Sequence, residues 1–247
     1  MKTLANCISV ILLLTLNVGY SNAQQEHEYV DLGLPSGTLW ATCNVGAENP
    51  WDYGDYFAWG ETEPKDARYK YYWHYYKYAE DTIRLYITKY CTNEERGHNG
   101  FTDGKTILEP DDDAATVNWG SEWCMPTKEQ WKELTDSCIW TMVTLNGING
   151  YEAKGPNGNT IFLPASGEKD GVSSERFFQL TLTPNGNIVR TIINDYIGRT
   201  GSYWSATLDD LSTGANVFGF NIYKVEPWVA AEPRCMGLSV RPVRCKQ

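Results

Sequence analysis

Hydrophobic and polar positions alternate in short runs along most of the chain, which is the pattern of β-strands. Residues 29–46, YVDLGLPSGTLWATCNVG, predict a hairpin in which a Pro-Ser-Gly turn separates a first strand from Thr38–Cys43. Beyond Cys138 the alternation continues around Asn-Gly turns, with PNGN at both 156–159 and 184–187. The chain is therefore predicted to be mostly antiparallel β.

Two short segments depart from this alternation and predict helices. The first, Asp111–Gly120, has aspartates at its positive N-terminal end and a glycine at its C-terminal stop. The second begins at Thr127, which stands with Gln130 in the spacing of a capping box. The apolar face of the second helix consists of Trp131, Leu134 and Cys138.

The segment Tyr69–Tyr78 contains eight aromatic side chains, counting His74. Aromatic rings on a loop provide stacking platforms for sugar rings or bases. About half of such a run is expected to turn inward and cover a core beneath the loop, because large rings are seldom all left in water. We expect a long loop here, with some rings buried and others exposed.

The N-terminal residues 1–23 have the features of a secretory signal peptide. Lys2 provides a basic start, an apolar run occupies residues 8–16, and Ser-Asn-Ala at 21–23 fits a cleavage site. The run is shorter than the ~20 residues that a membrane-spanning helix needs. We expect an exported chain without a transmembrane segment, in which residues 24–247 form a single domain. The compartment beyond export stays open between the periplasm, the cell surface and secretion.

The charge of the chain is strongly acidic, with a net charge of −10. Lys2 is the only charged residue in 1–23, so the predicted mature chain is more negative still. Nucleic acids and anionic membranes attract basic surfaces. Neither is therefore expected as a partner, and the acidity is attributed to solubility.

Six cysteines remain after residue 23: Cys43, Cys91, Cys124, Cys138, Cys235 and Cys245. An even number in an exported chain suggests disulfides, but their spacing leaves the connectivity open. The histidines His27, His74 and His98 are isolated from each other and from cysteine pairs, so no zinc site is expected.

Seven segments in order resemble one protein family: EYVDLGLPSGTLWATCNVGA, YGDYFAWGETEPK, DDAATVNWG, MPTKEQW, IFLPASG, GSYWSA and GLSVRPV. They look like the Fibrobacter succinogenes major paralogous domain, an exported domain abundant in Bacteroidetes. The resemblance runs from about Glu28 to Val243, with an additional hairpin in Gly171–Arg199. It implies an α+β, C-type lectin-like fold with two short helices and long loops, on the sulfatase-modifying-factor branch. That branch includes formylglycine-generating enzymes and variable proteins diversified by retroelements. Membership implies no established activity.

The resemblance also allows a test for enzyme chemistry. Formylglycine-generating enzymes bind copper through two cysteines a few residues apart, whereas the matching tail EPRCMGLSVRPV offers Cys235 alone. We therefore expect no catalytic residues, no metal and no cofactor. The alternatives left open are an oxidoreductase or a carbohydrate-active enzyme, whose candidate carboxylate pairs are Glu61 with Glu63 and Asp209 with Asp210.

Calcium chemistry has weak support in the sequence. Asp111–Asp113 lie outside any glycine-centred calcium loop, so helix capping is the favoured interpretation of these aspartates. Glu109-Pro110-Asp111 loosely resembles the first calcium motif of sugar-binding C-type lectins. The second motif, Trp-Asn-Asp, is missing from the chain.

The resemblance finally implies a binding face and a disulfide pairing. In the diversified relatives, ligand-contacting positions lie on the strand and loop that correspond here to residues 217–228. We expect an extracellular protein or glycan ligand, bound by a monomer. The implied face consists of Val217, Gly219, Asn221, Tyr223, Val225 and Trp228. The implied disulfides are Cys43–Cys245, Cys124–Cys235 and Cys91–Cys138. A structural subunit of a surface or fimbrial assembly is a further alternative.

Overall fold

The computed structural model describes residues 27–80, 85–171, 178–182, 185, 188–192, 196–224 and 226–245. The predicted signal peptide lies outside these residues. The described chain is mostly antiparallel β-sheet with two α-helices, in agreement with the α+β, mostly β class expected from the hydrophobic alternation.

Within the described residues there are fourteen strands, most of them short. In chain order they are β1 (Tyr29–Asp31), β2 (Leu39–Ala41), β3 (Ala79–Glu80), β4 (Tyr86–Ile87), β5 (Trp123–Cys124), β6 (Ile139–Leu145), β7 (Ile148–Lys154), β8 (Thr160–Pro164), β9 (Phe178–Leu182), β10 (Ile188–Ile192), β11 (Thr200–Leu208), β12 (Gly214–Asn221), β13 (Trp228–Pro233) and β14 (Val243–Arg244). The helices are α1 (Ala114–Trp119) and α2 (Lys128–Ser137). Single 3-10 turns lie at Arg68–Lys70, Trp73–Tyr75, His98–Gly100 and Pro110–Asp112.

The two ends of the described chain meet in a four-stranded sheet of order β1-β2-β14-β5. Val243 on β14 lies opposite Trp40 on β2 and, on its other side, opposite Cys124 on β5. All the pairs are antiparallel. One sheet therefore includes segments from both ends of the described chain.

A second sheet, β11-β12-β13, separates two hydrophobic clusters. Trp204 and Val217 lie opposite each other in register and face the first cluster, which includes Trp59 and Tyr76. Their neighbours Tyr203 and Phe218 form the next pair and face the second cluster, around Trp131. Successive strand residues point to opposite faces, so β11 and β12 are buried on both sides.

Helix α2 forms because its first turn satisfies its own backbone donors. The Thr127 hydroxyl accepts from the Gln130 amide at 3.3 Å, and the Gln130 side chain accepts from the Thr127 amide at 2.8 Å. This is the predicted capping box. The buried face of the helix stacks the Trp131 ring on Phe218, with centroids 4.4 Å apart.

The first predicted helix is divided into two parts. A 3-10 turn at Pro110–Asp112 precedes α1, and Asp113 is the residue that caps the helix. Its carboxylate accepts from the amides of Ala115 and Thr116 at 2.8 and 3.0 Å. Gly120 ends the helix with φ of 96°, a backbone conformation that favours glycine. Capping, the predicted role of these aspartates, is confirmed at Asp113.

Three predicted hairpins are present. Residues of β1 pair with β2 across the Pro-Ser-Gly turn, and β6 pairs with β7 across Asn146-Gly147, which both have positive φ. Strand β9 pairs with β10 in the additional hairpin of the region 171–199. The tip of that hairpin at residues 183, 184, 186 and 187 lies outside the described chain.

We expect Trp131→Ala to lower the free energy of unfolding by about 3–5 kcal/mol, because it removes a fully buried ring between the helix and the sheet. Met142→Ala on β6 is the control: Met142 is 49% exposed, and the change should stay within about 0.5 kcal/mol. Urea denaturation followed by circular dichroism measures both. Equal effects of the two substitutions would contradict the assigned packing.

Candidate functional site

The structure corrects part of the predicted binding face. Val217 is only 2% exposed and belongs to the first hydrophobic cluster. Gly219 lies beneath Trp228, since a Cβ built on it would be 2.9 Å from the indole ring. Both positions were expected to point outward, but β12 is the middle strand of its sheet and is covered on both faces. They are not available to a ligand.

The remaining predicted residues lie at residues 221–228, which we call the β12–β13 turn. Tyr223 is 76% exposed, and its amide donates to the Asn221 side chain at 2.9 Å. The Lys224 ammonium lies 4.9 Å from the centre of the partly buried Trp228 ring. Val225 is outside the described residues. The turn thus presents an exposed phenol at Tyr223 and, next to it in the chain, a cation that lies over the Trp228 indole.

The aromatic segment divides as predicted between buried and exposed rings. Tyr71, Tyr76 and Tyr78 are buried in the first cluster. The rings of Tyr69, Tyr72 and Tyr75 are exposed, as is that of His74, and we call these three tyrosines the tyrosine platform. Within it, the rings of Tyr69 and Tyr75 meet edge to face, with centroids 5.6 Å apart.

Buried neighbours hold the tyrosine platform in place. The Tyr76 hydroxyl donates to the Trp59 carbonyl at 2.7 Å and accepts from Arg234 Nε at 2.8 Å. The Tyr71 hydroxyl donates to the Tyr56 carbonyl and accepts from the Lys65 amide. Each buried ring is therefore fixed at its polar end as well as by packing.

Beneath the aromatic segment, Asp112 accepts hydrogen bonds from two phenols, Tyr78 and Tyr90, and from the ammonium groups of Lys77 and Lys89. Burial opposes the ionisation of Asp112, but these hydrogen bonds outweigh it and hold its pKa well below the usual value. A carboxylate satisfied by four donors is a structural anchor, and it has little capacity left for a ligand.

Several of the carboxylates considered for catalysis or calcium are engaged in the fold. Glu61 pairs with Lys65 at 2.5 Å, and Glu109 pairs with Lys89 and Lys105. Asp209 accepts from backbone amides of the turn before β12. Among the residues that the structure describes, no group of three or more histidine, cysteine or carboxylate side chains is arranged to hold a metal ion.

Sequence reasoning missed a cavity of about 590 Å³ between α1, the start of α2 and β11. Its lining is mostly apolar, with Ile107, Leu108 and Met125. The polar residues that line it are Asp113, Thr116, Ser121, Thr127 and Gln130, together with the thiols of Cys124 and Cys245. The sequence contains one indication of this site: two helices begin close together in the chain, at Asp113 and Thr127. The polar residues at the two helix starts could therefore have been expected to lie near each other.

Asp113 is the buried ionisable group of this cavity. Besides capping α1, it accepts from the Met125 amide at 2.8 Å and so joins α1 to the segment after β5. Burial raises its pKa to about 6, although three backbone amides act in the opposite direction. The side chain is therefore positioned by the fold and titrates near neutral pH.

The cysteines differ from the implied pairing: all six of the described cysteines are free thiols. Val243 lies opposite Trp40 in an antiparallel pair, so continuing the register places Cys245 opposite Thr38. Cys43 is five residues away from Thr38 along the same chain segment. A separation of about five residues is ~16 Å, whereas a disulfide needs Cα atoms within ~7 Å. The Cys43–Cys245 prediction is wrong. The implied Cys124–Cys235 and Cys91–Cys138 bridges stay predictions, and the thiol beside Cys245 is that of Cys124.

Comparisons of the chain with protein-family models, with curated proteins and with solved structures give no match. Over the described residues, every helix is too short or too polar to cross a membrane.

The raised pKa of Asp113 gives a test by pH. The unfolded pKa is about 3.9, so the stabilising contribution of the protonated carboxyl is complete below that pH and is lost as the pH rises through about 6. Relative to Asp113→Asn, which cannot titrate, we expect the wild-type free energy of unfolding to fall by about 2–3 kcal/mol between about pH 4 and pH 7. Urea denaturation across this range measures the difference, and a relative rise would contradict the assignment.

Proposed function

We propose that the protein is an exported, non-catalytic recognition module that binds a protein or glycan at or outside the cell surface. In this proposal the domain is monomeric and has the C-type lectin-like fold of the Fibrobacter succinogenes major paralogous domain. Three considerations support it: the ordered sequence motifs, the mostly antiparallel α+β architecture, and the sheet that joins both ends of the described chain.

The observation that carries the proposal is the β12–β13 turn. Tyr223 is the most exposed of the large hydrophobic side chains that the structure describes, and it follows β12, a strand that is buried on both faces. Large aromatic side chains with a polar edge dominate recognition surfaces. Trp228 and Lys224 beside it add an indole and a cation, which suit a contact that includes both apolar and polar groups.

Catalysis draws less support from the same geometry. One carboxylate of each pair considered for it is engaged in an ion pair or in a backbone turn, as described for Glu61 and Asp209. An enzyme on this fold would need groups with unsatisfied capacity near a reacting substrate. Recognition needs only an accessible surface of defined shape.

The test is binding of the purified protein to an array of oligosaccharides and extracellular bacterial proteins. For the probe that binds best, Tyr223→Ala should weaken affinity about 30-fold, which corresponds to about 2 kcal/mol at a recognition hot spot. Trp228→Phe should retain an intermediate affinity, because it keeps a ring over Gly219. Tyr29→Ala on β1 removes an exposed tyrosine elsewhere and is the matched control.

Undiminished affinity in folded Tyr223→Ala would contradict the site. Loss of binding in a variant with Tyr69, Tyr72 and Tyr75 changed to serine would place the contact on the tyrosine platform and favour a stacked sugar. Oxidation of a cysteine in a sulfatase-derived peptide by the purified protein with copper would contradict the non-catalytic proposal.

A further inference from the structure

The cysteines Cys124 and Cys245 lie on neighbouring strands of the four-stranded sheet. Arg244 pairs with Trp123, and the Cys245 amide donates to the Glu122 carbonyl at 2.9 Å. Cys245 is therefore opposite Glu122 and shares a face with Cys124, because residues two apart on a strand point the same way.

Both side chains line the 590 Å³ cavity, where the two thiols interact with each other and the Cys124 thiol also donates to the Val243 carbonyl at 3.9 Å. Diagonal neighbours on adjacent antiparallel strands are about 7–8 Å apart, slightly beyond the ~7 Å Cα separation that a disulfide spans, so closing the bond requires the two strand ends to approach by about 1 Å. Thiol contact shows that the side chains already turn toward each other. An ion pair between Arg244 and Glu122 at 2.7 Å holds the same two strands in register.

We propose that Cys124 and Cys245 form a disulfide that fastens the chain beyond β14 to β5 at the wall of the cavity. The other cysteines are directed elsewhere. The Cys43 thiol donates to the Glu48 carbonyl, and the Cys91 thiol donates to the Asn93 carbonyl. This assignment does not depend on the proposed recognition function.

The bridge forms by thiol–disulfide exchange with a small disulfide such as oxidised glutathione. Deprotonated Cys245 attacks one glutathione sulfur, which gives a mixed disulfide and releases one glutathione thiolate. Deprotonated Cys124 then attacks the Cys245 sulfur, the second glutathione leaves, and the Cys124–Cys245 bond is complete. The two protein thiols lose two protons and two electrons, and oxidised glutathione is reduced to two thiols.

Burial raises the pKa of both thiols, so few thiolates exist in the folded state at neutral pH and exchange is slow. The reaction must therefore be brought to equilibrium, for example by refolding in a glutathione redox buffer. Once formed, the bond closes a long loop between β5 and the end of β14, which restricts the unfolded chain. It also fixes one wall of the cavity.

The experiment is non-reducing proteolytic mapping by mass spectrometry of the full chain, equilibrated with excess oxidised glutathione. We expect a cross-linked peptide pair containing Cys124 and Cys245 in the wild type and in Cys43→Ser, but not in Cys124→Ser or Cys245→Ser. The thermal midpoint should rise by about 5–10 °C on oxidation in the first two proteins only.

Two results would overturn the proposal: both thiols still alkylated after equilibration, or a cross-linked peptide that joins either cysteine to another partner. Mapping of the wild type decides the question even if a serine variant does not fold. If Cys245 is bridged to Cys43 instead, oxidation will not cross-link Cys245 in the same way in Cys43→Ser, so this control also detects that alternative.

Discussion

The fully buried guanidinium of Arg234 is the interaction on which the irregular part of the structure depends. Its nitrogens donate to the carbonyls of Lys89, Tyr90 and Ser212 and to the Tyr76 hydroxyl, at 2.8 to 3.1 Å. The Trp59 ring lies 4.8 Å from its carbon centre. A buried charge is tolerated only when its donors are satisfied and aromatic faces or opposite charge lie near. One side chain thus joins three loops to the end of β13.

Arg234 is linked to Asp112 through two tyrosines. The rings of Tyr78 and Tyr90 lie 5.9 Å from the guanidinium, and both hydroxyls donate to the Asp112 carboxylate. Long loops without regular secondary structure are usually mobile. Here the aromatic segment is held from beneath by charge and hydrogen bonds, so the tyrosine platform above it is a defined surface. The β12–β13 turn gains the same property from β12, which is buried on both faces, and pre-ordered surfaces lose less entropy on binding.

Local interactions were predictable from the sequence, and long-range ones were not. The capping box of Thr127 and the Asn146-Gly147 turn depend on residues a few positions apart, and both are present. The prediction that Val217 points outward was wrong because side chains alternate between the two faces of β12 whether one face or both are covered. Whether both faces are covered depends on which distant residues pack on each side of the sheet, here those of the two hydrophobic clusters. The contact between Cys124 and Cys245 likewise depends on strand order, which spacing does not reveal.

The most direct test of this account is native-state hydrogen exchange of the aromatic segment in the wild type and in Arg234→Met. The amides of Tyr71, Tyr76 and Lys77 donate to partners within or beneath the segment. We predict slow exchange at these amides in the wild type and much faster exchange in Arg234→Met, with protection of β6 and β7 retained. Rapid exchange of the segment in the wild type, or unchanged protection in the variant, would contradict the claim that buried Arg234 orders this surface.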